Sequence, residues 1–176
     1  MNRVKLVIMF SILALIGCKS PIKQNEQIME HPEQISDKLE PKVTGIGGIF
    51  FFADNPEETK NWYKKNLGIE TNDHGAVFEF RNTNQPDEIN YLIWSPFEKG
   101  SDYFVPSKKE FMINYRVQNI EALVERLKIN GVEILNEIET YEYGKFVHIL
   151  DLEGNKIELW EPIDSILTEI GDKTNK

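Results

Sequence analysis

The stretch Asp151-Leu-Glu-Gly-Asn-Lys-Ile-Glu-Leu-Trp-Glu-Pro162 decides the fold of this 176-residue chain. Glu153-Gly154-Asn155 predicts a tight turn, because glycine reaches positive φ without steric cost, and Lys156 to Trp160 predicts a strand after it. An earlier segment, Tyr91-Leu-Ile-Trp-Ser-Pro96, aligns with the end of that strand. The chain therefore carries an internal repeat.

Two predicted helices take part in the same repeat. Asn55 can cap the first helix, Pro56 suits its first position, and Gly68 ends it. The second helix begins near Asn119 and ends at Gly131, with apolar residues at helical spacing between them. Each repeat is a unit of about 55 to 65 residues, too small to bury a core well by itself. Two units side by side solve that problem, which predicts one α+β domain.

Apolar runs rich in β-forming residues surround both helices. The predicted strands are Thr44 to Phe52, Ala76 to Phe80, Asn90 to Trp94, Phe111 to Val117, Phe146 to Leu150 and Lys156 to Trp160.

The segment from Asp151 to Pro162 resembles the Asp-Pro-Asp-Gly-Asn hairpin and Ile-Glu-Leu strand of the glyoxalase/bleomycin resistance/dioxygenase, or vicinal oxygen chelate, superfamily. Asp54, Trp62-Tyr63, Asn66-Leu67-Gly68 and Asn114-Tyr115-Arg116-Val117 support the resemblance. It covers residues 43–162, as repeats 43–98 and 109–162. It implies paired βαβββ modules that form a curved mixed-sheet cup with helices on the outer face.

The resemblance also implies four metal-ligand positions, because enzymes of this family typically hold a divalent metal with one side chain from the first and last strand of each repeat. Aligned on the repeat, these positions are Gly47, Leu92, Met112 and Glu158. Glycine and leucine offer no ligand atom, and a methionine thioether prefers soft metals. Only Glu158 can bind a hard cation, so we expect no metal cofactor.

Strand alternation predicts which side chains line the cup. The predicted lining is mainly aromatic and apolar, as in a small-molecule pocket, with extra room beside its glycine. Its members are Gly47, Ile49, Phe51, Leu92, Trp94, Met112, Asn114, Arg116, Glu158 and Trp160, with Lys156 beside them.

Glu158 is the candidate functional residue, because a buried carboxylate needs a cationic partner or a raised pKa. Arg116 is its expected partner. Three roles stay open for Glu158: an ion pair that organises the sheet, a ligand contact, or a general base that works without a metal. His148 is expected to be a packed strand residue.

Two further segments could cover the cup. Tyr141 and Tyr143 lie either over its mouth or on an exposed β-ribbon. The long connection Phe97 to Lys109 joins the two repeats, and it either wraps one module or forms a lid.

The N-terminus has the charged, apolar and small-residue order of an export signal, with Arg3 and Lys5 before the apolar run Leu6 to Ile16. Leu15-Ile16-Gly17-Cys18 resembles a bacterial lipobox, which implies lipidation of Cys18; an ordinary secretory signal is the alternative. Because Cys18 is the only cysteine, the mature domain has neither a disulfide nor a catalytic thiol.

The predicted organisation is therefore a signal in residues 1–18, a polar tether in 19–42, one domain in 43–162 and a polar C-terminal tail in 163–176. Loss of Arg3 and Lys5 with the signal changes the formal net charge from −9 to −11, since no acidic residue precedes Cys18. Nucleic acid binding needs a basic stripe, so we expect no nucleic-acid partner.

These observations favour an envelope-anchored, metal-independent domain that binds or sequesters a small, partly aromatic or apolar molecule. The lipid on Cys18 would hold it at a bacterial membrane, the outer membrane or the periplasmic face in a Gram-negative cell. Family members that sequester antibiotics often form their pockets across a dimer, so a homodimer is one expectation. The alternatives are a metal-dependent enzyme, glyoxalase-type or dioxygenase-like, with ligands placed elsewhere, and a structural envelope protein.

Overall fold

A computed structural model describes residues 39–83, 85–170 and 173–176 of the chain. The predicted signal with Cys18, and residues 19–38 of the predicted tether, lie outside these ranges. Among the described residues, no helix has both the length and the apolar character needed to cross a membrane.

The first repeat folds as a strand, a helix and two further strands, and a 3-10 turn follows it. The elements are β1 (Lys42–Ala53), α1 (Pro56–Leu67), β2 (Ala76–Arg81), β3 (Ile89–Glu98) and the turn Asp102–Phe104. The second repeat and the C-terminus contain β4 (Phe111–Gln118), α2 (Ile120–Ile129), β5 (Glu139–Tyr141), β6 (Gly144–Leu150), β7 (Lys156–Pro162), α3 (Asp164–Ile170) and β8 (Thr174–Asn175).

All these strands form one mixed sheet in the order β5-β6-β7-β4-β1-β3-β2-β8. Strands β1 and β3 are parallel, as are β4 and β7, while the two repeats meet at the antiparallel pair β1 and β4. This arrangement confirms the predicted α+β fold of paired modules.

The local signals that predicted α1 and the hairpin are confirmed. Asn55 Oδ1 accepts a hydrogen bond from Glu58 N at 3.1 Å, and Gly68 ends the helix at φ 71°. In the hairpin, Asp151 Oδ1 accepts from Asn155 N at 2.8 Å, and Gly154 has φ 73°. Short-range hydrogen bonds determine these turns, so neighbouring residues suffice to predict them.

Two hydrophobic clusters stabilise the sheet. The larger one lies between α2 and the strands of the second repeat, and its buried members are Val117, Ile120, Leu123, Val124, Val147, Ile149 and Leu159. The smaller cluster joins Phe50 and Met112 to Phe104, whose side chain comes from the connection between the repeats. Phe104 is 1% exposed, so this connection is part of the core.

The segment after Pro162, predicted only as a polar tail, forms α3 and β8. Strand β8 pairs with β2 and takes the edge of the sheet that β5 takes beside β6 in the other repeat. The first repeat has two strands after its helix, whereas the second repeat has three. The C-terminus supplies the short strand β8 at the edge where the first repeat lacks its third strand. The sequence pattern of one segment does not predict that β8 pairs with a strand so far away in the chain. The pairing is stabilised by the unpaired backbone groups at the edge of the sheet, which exist only once the sheet has formed.

Candidate functional site

Glu158 lies at the centre of a buried polar cluster on β7. It is 4% exposed, yet its carboxylate faces three side-chain partners. Oε1 accepts from Asn114 Nδ2 at 2.6 Å, and Oε2 lies 3.0 Å from His148 Nε2 and also accepts from the hydroxyl of Tyr103. A buried carboxylate with this many donors is stabilised in its ionised form.

Strand register holds two of these partners in place. Asn114 is paired with Glu158 across the parallel strands β4 and β7, and His148 is paired with Glu158 across the hairpin of β6 and β7. Residues paired in register project from the same face of the sheet, so the backbone itself brings these side chains together.

Tyr103 reaches the cluster from the 3-10 turn between the repeats. Its ring stacks on Phe97 with centroids 5.1 Å apart, and its backbone oxygen accepts from Lys156 Nζ at 2.6 Å. The long connection therefore crosses the cup and places a hydroxyl on Glu158. The two alternatives for this segment were that it wraps one module or forms a lid. In the structure the segment covers the cup.

Asn136 determines how the His148 ring is held. Its Oδ1 accepts from the backbone N–H of His148 at 2.8 Å and lies 3.2 Å from His148 Nδ1, while its Nδ2 donates to Glu137 O at 3.0 Å. Both ring nitrogens of His148 therefore face oxygen atoms, Nδ1 towards Asn136 and Nε2 towards Glu158. The imidazole ring is thus held in a fixed orientation against the carboxylate.

The charges and burial of the cluster shift two pKa values. Burial is the largest influence on Glu158 and opposes ionisation, but hydrogen bonds from His148, Tyr103 and Asn114 outweigh it and lower the pKa of Glu158. Burial and then the negative charge of Glu158 raise the pKa of Tyr103. Glu158 is therefore an anion near neutral pH, and Tyr103 keeps its proton as a donor.

A cavity of about 230 Å³ opens beside this cluster. Tyr141, Tyr143 and Phe146 line it together with Glu158 and His148. The rings of Tyr141 and Tyr143 stack at 5.5 Å, and Tyr141 is 46% exposed. The two tyrosines thus lie at the solvent side of a small aromatic pocket that has the Glu158 carboxylate at its base. A second carboxylate, that of Glu139, also lines the pocket and accepts from the Tyr141 hydroxyl at 2.7 Å.

Six members of the predicted lining lie together on one face of the sheet: Gly47, Met112, Asn114, Arg116, Glu158 and Trp160. The extra room predicted beside Gly47 is absent, however. A Cβ atom on Gly47 would lie 2.2 Å from Asn114 Oδ1 and 2.8 Å from Trp160 Cε3. Neighbouring side chains fill this space, so glycine here permits close packing and leaves no room for a ligand.

The other four predicted members, Ile49, Phe51, Leu92 and Trp94, lie on the helix side of the sheet, so their placement in the cup was wrong. Trp94 contacts Phe51 at 5.2 Å and Tyr63 of α1 at 4.7 Å, measured between ring centroids. The register of β1 against β4 shifts between Ile46 and Gly48. A bulge of this kind reverses the alternation of side chains in the residues that follow it, here Ile49 and Phe51. The prediction assumed strict alternation along β1 and therefore placed these two side chains on the wrong face.

Arg116 does not pair with Glu158 as predicted. Its Nη2 makes an ion pair with Asp164 of α3, its Nη1 donates to Tyr91 O at 3.1 Å, and its guanidinium lies 5.2 Å from the ring centroid of Trp160. The prediction failed because Asp164 belongs to the segment that was taken for a tail. His148, which was expected only to pack, is the group that faces Glu158.

The residues at the four implied metal positions do not fit a divalent metal. Both oxygens of Glu158 already accept hydrogen bonds, and the space at Gly47 is filled. Within the described part of the chain, no three His, Cys, Asp or Glu side chains are grouped so that they could hold a metal ion. That the protein works without a metal stays a prediction.

The hairpin could have revealed His148 from the sequence. A turn centred on Glu153 pairs residues at equal distances on either side, which places His148 opposite Glu158. Tyr103 and Asn136 lie in irregular connections, where no periodic pattern indicates which way a side chain points.

Comparison with known proteins agrees with this fold. The sequence model of the Glyoxalase/Bleomycin resistance protein/Dioxygenase superfamily matches residues 45–159. The uncharacterized protein YetH of Bacillus subtilis (strain 168) is 26% identical over 124 residues, which cover 68% of this chain and 99% of YetH.

Among solved structures, a variant of Streptomyces coelicolor methylmalonyl-CoA epimerase in complex with 2-nitronate-propionyl-CoA is similar, with a TM-score of 0.53 and 14% sequence identity. The similarity covers 69% of this chain and 99% of the epimerase chain. At this identity the likeness shows the fold alone.

Proposed function

The chain belongs to the Glyoxalase/Bleomycin resistance protein/Dioxygenase superfamily, and from that premise we propose that it is a metal-independent domain that binds a small molecule beside Glu158 in the cell envelope. The observation that carries this proposal is the hydrogen-bonded carboxylate of Glu158 at the base of an aromatic pocket. Pockets of this composition bind small molecules, with a few polar groups to orient them.

The pocket suggests what kind of ligand fits. Tyr141, Tyr143 and Phe146 offer aromatic surface for a flat or apolar body. Oε1 of Glu158 accepts one hydrogen bond, from Asn114, and keeps a second lone pair, so the ligand would carry an N–H or O–H group. The cavity of about 230 Å³ limits it to a small molecule.

The same geometry disfavours Glu158 as a general base. An effective base has a pKa near the working pH, whereas hydrogen bonds hold the pKa of Glu158 below its usual value. Its partners would also have to release it before it accepted a proton. Binding fits this arrangement better than catalysis does.

Membrane attachment is the second part of the proposal and rests on the N-terminal sequence. A lipid on Cys18 would anchor the chain, and residues 19–42 would separate the domain from the membrane surface. Lipid on one residue, with several acyl chains, is a stable anchor because each buried methylene contributes about 0.8 kcal/mol.

The test uses the full chain, expressed with its own N-terminus and extracted from membranes in detergent. Metal content is measured, and native mass spectrometry detects any molecule that co-purifies. We expect no stoichiometric metal, and we expect a small molecule that is lost in Glu158→Gln and retained in Glu153→Gln, a control on the exposed hairpin turn. Stoichiometric zinc, iron, nickel or manganese that Glu158→Gln removes would overturn the proposal in favour of a metal-dependent enzyme. No bound molecule in any of the three proteins would contradict it in favour of a structural role.

A further inference from the structure

Two buried donors converge on a carboxylate that comes from the C-terminal segment. Asn90 of β3 is 6% exposed and Arg116 of β4 is 4% exposed. Asn90 Nδ2 donates to Asp164 Oδ2 at 3.2 Å, and Arg116 Nη2 makes an ion pair with the same oxygen. Both donors lie within the stretch that matches the superfamily, residues 45–159, whereas Asp164 lies beyond it.

Asp164 fits these donors incompletely. A guanidinium can bind both oxygens of a carboxylate, but here one oxygen of Asp164 accepts from both donors, and Oδ1 is buried without a hydrogen-bond partner. Burial raises the pKa of Asp164 above its usual value despite the neighbouring Arg116. A carboxylate free to reorient could use both of its oxygens.

The helix that carries Asp164 is weakly packed. None of the seven residues of α3 is buried. Its side chains make polar contacts with the sheet, such as the 2.8 Å hydrogen bond between the hydroxyls of Thr168 and Tyr91. Elements with few buried apolar contacts open at low free-energy cost.

A cavity of about 330 Å³ lies between α3, β8 and the first-repeat strands, and its lining is mainly apolar but includes Glu79, Thr168, Thr174 and Lys176. Its apolar lining residues are Val77, Ile89, Tyr91, Ile93, Leu167 and Ile170. Tyr91 links the cavity to the ion pair, since its backbone oxygen accepts from Arg116 Nη1.

We propose that Arg116 and Asn90 form a second ligand site, for a small carboxylate with an apolar chain, and that Asp164 occupies this site when the ligand is absent. The ligand carboxylate would replace that of Asp164, and its chain would enter the apolar cavity. One guanidinium and one amide suit a singly charged carboxylate better than a phosphate, which needs more donors. This site is separate from the Glu158 pocket, so the two proposals can fail independently.

Hexanoate is the probe, and hexanamide is its uncharged control. In the full-length Asp164→Ala variant, Arg116 has no anionic partner, so hexanoate binding detected by thermal stabilisation is expected to be about tenfold tighter than in the wild type. Glu169→Ala, at an exposed position of the same helix, serves as the matched control and is expected to behave like the wild type. Adding Asn90→Ala to Asp164→Ala is expected to weaken hexanoate binding again.

Hydrogen exchange in the wild-type protein gives a second measurement that does not depend on folding of a variant. Saturating hexanoate is expected to speed exchange at the N-terminal turn of α3, because Asp164 leaves Arg116 while Leu167 and Ile170 stay against the bound chain. Hexanamide binding as strong as hexanoate binding, or exchange at this N-terminal turn that hexanoate leaves unchanged or slows, would overturn the proposal.

Discussion

His148 Nε2 lies 3.0 Å from Glu158 Oε2, across the antiparallel pair of β6 and β7. The two residues are direct partners in the strand register, so the backbone keeps them together without help from a loop. Tyr103 and Asn114 complete the set of groups around the same carboxylate. Because the Glu158 carboxylate is buried and accepts hydrogen bonds from the side chains around it, we expect changes in this cluster to alter stability and proton binding even when no ligand is present.

Removing the charge of Glu158 is expected to destabilise the domain strongly. Glu158→Gln keeps the shape of the side chain but removes the charged acceptor shared by Asn114, Tyr103 and His148, and each hydrogen bond to a buried charged group is worth about 2 kcal/mol. Urea unfolding followed by tryptophan fluorescence measures the change. Glu153→Gln on the exposed turn serves as the control, and a Glu158→Gln effect no larger than that of the control would contradict this role of the buried carboxylate.

Acid is expected to unfold the wild type more steeply than Glu158→Gln. The pKa of Glu158 is lowered on folding, so the stability it contributes is fully present above the usual glutamate value of 4.5 and is lost as pH falls through the lowered folded-state value. Carboxylates with raised pKa values, such as Asp164, are common to both proteins and cancel in the comparison. If the difference in unfolding free energy between the two proteins stays constant from neutral pH into the acid range, protonation of Glu158 does not contribute to acid unfolding.

The hydroxyl of Tyr103 is expected to contribute to stability separately from its ring. Tyr103→Phe keeps the stacking on Phe97 but removes the donor to Glu158, and a hydrogen bond to a charged group is worth about 2 kcal/mol. Thermal unfolding measures the loss, with Tyr143→Phe at the pocket entrance as the control. Equal effects of the two substitutions would mean that the Tyr103 hydroxyl has no special role.

Gly47 is expected to tolerate no larger side chain. In Gly47→Ala the new Cβ would lie 2.2 Å from Asn114 Oδ1 and 2.9 Å from Arg116 Cγ, and overpacking of this kind costs about 1 to 3 kcal/mol. Gly45→Ala in the same strand is the matched control, because its Cβ would lie 3.9 Å from Arg116 Cδ, an ordinary contact. The unfolding midpoints of both variants are compared with that of the wild type. Equal shifts in the two midpoints would contradict close packing at Gly47.

Cys18 is expected to determine membrane attachment. Cys18→Ser would prevent lipidation, and the protein would move from the membrane fraction to the soluble fraction while the domain stays folded. Cell fractionation together with the mass of the mature N-terminus checks this outcome. Retention of Cys18→Ser in the membrane fraction at the wild-type level would argue for a different anchor.

Elements that depend on neighbouring residues could be predicted from the amino-acid sequence alone. The helix from Pro56 to Leu67, the turn at Gly154 and the repeated strands follow from capping side chains, glycine conformation and apolar spacing, all of which act over a few residues. The internal repeat then predicted the pairing of two modules, because neither half can bury a core alone. Glu158 could be selected from this information, since a carboxylate in an apolar strand always needs partners.

The partners of Glu158, and the side chains that face the cup, depend on long-range packing. The bulge near Gly47 reversed the alternation of side chains along β1. Tyr103 enters the cup from the connection between the repeats, and Asp164 comes from the C-terminal segment; neither segment has a periodic pattern that predicts this. Their positions depend on contacts between residues far apart in the chain, such as the 55 positions that separate Tyr103 from Glu158. The energy of such contacts comes from burial and charge in the folded protein, and local sequence patterns do not encode it.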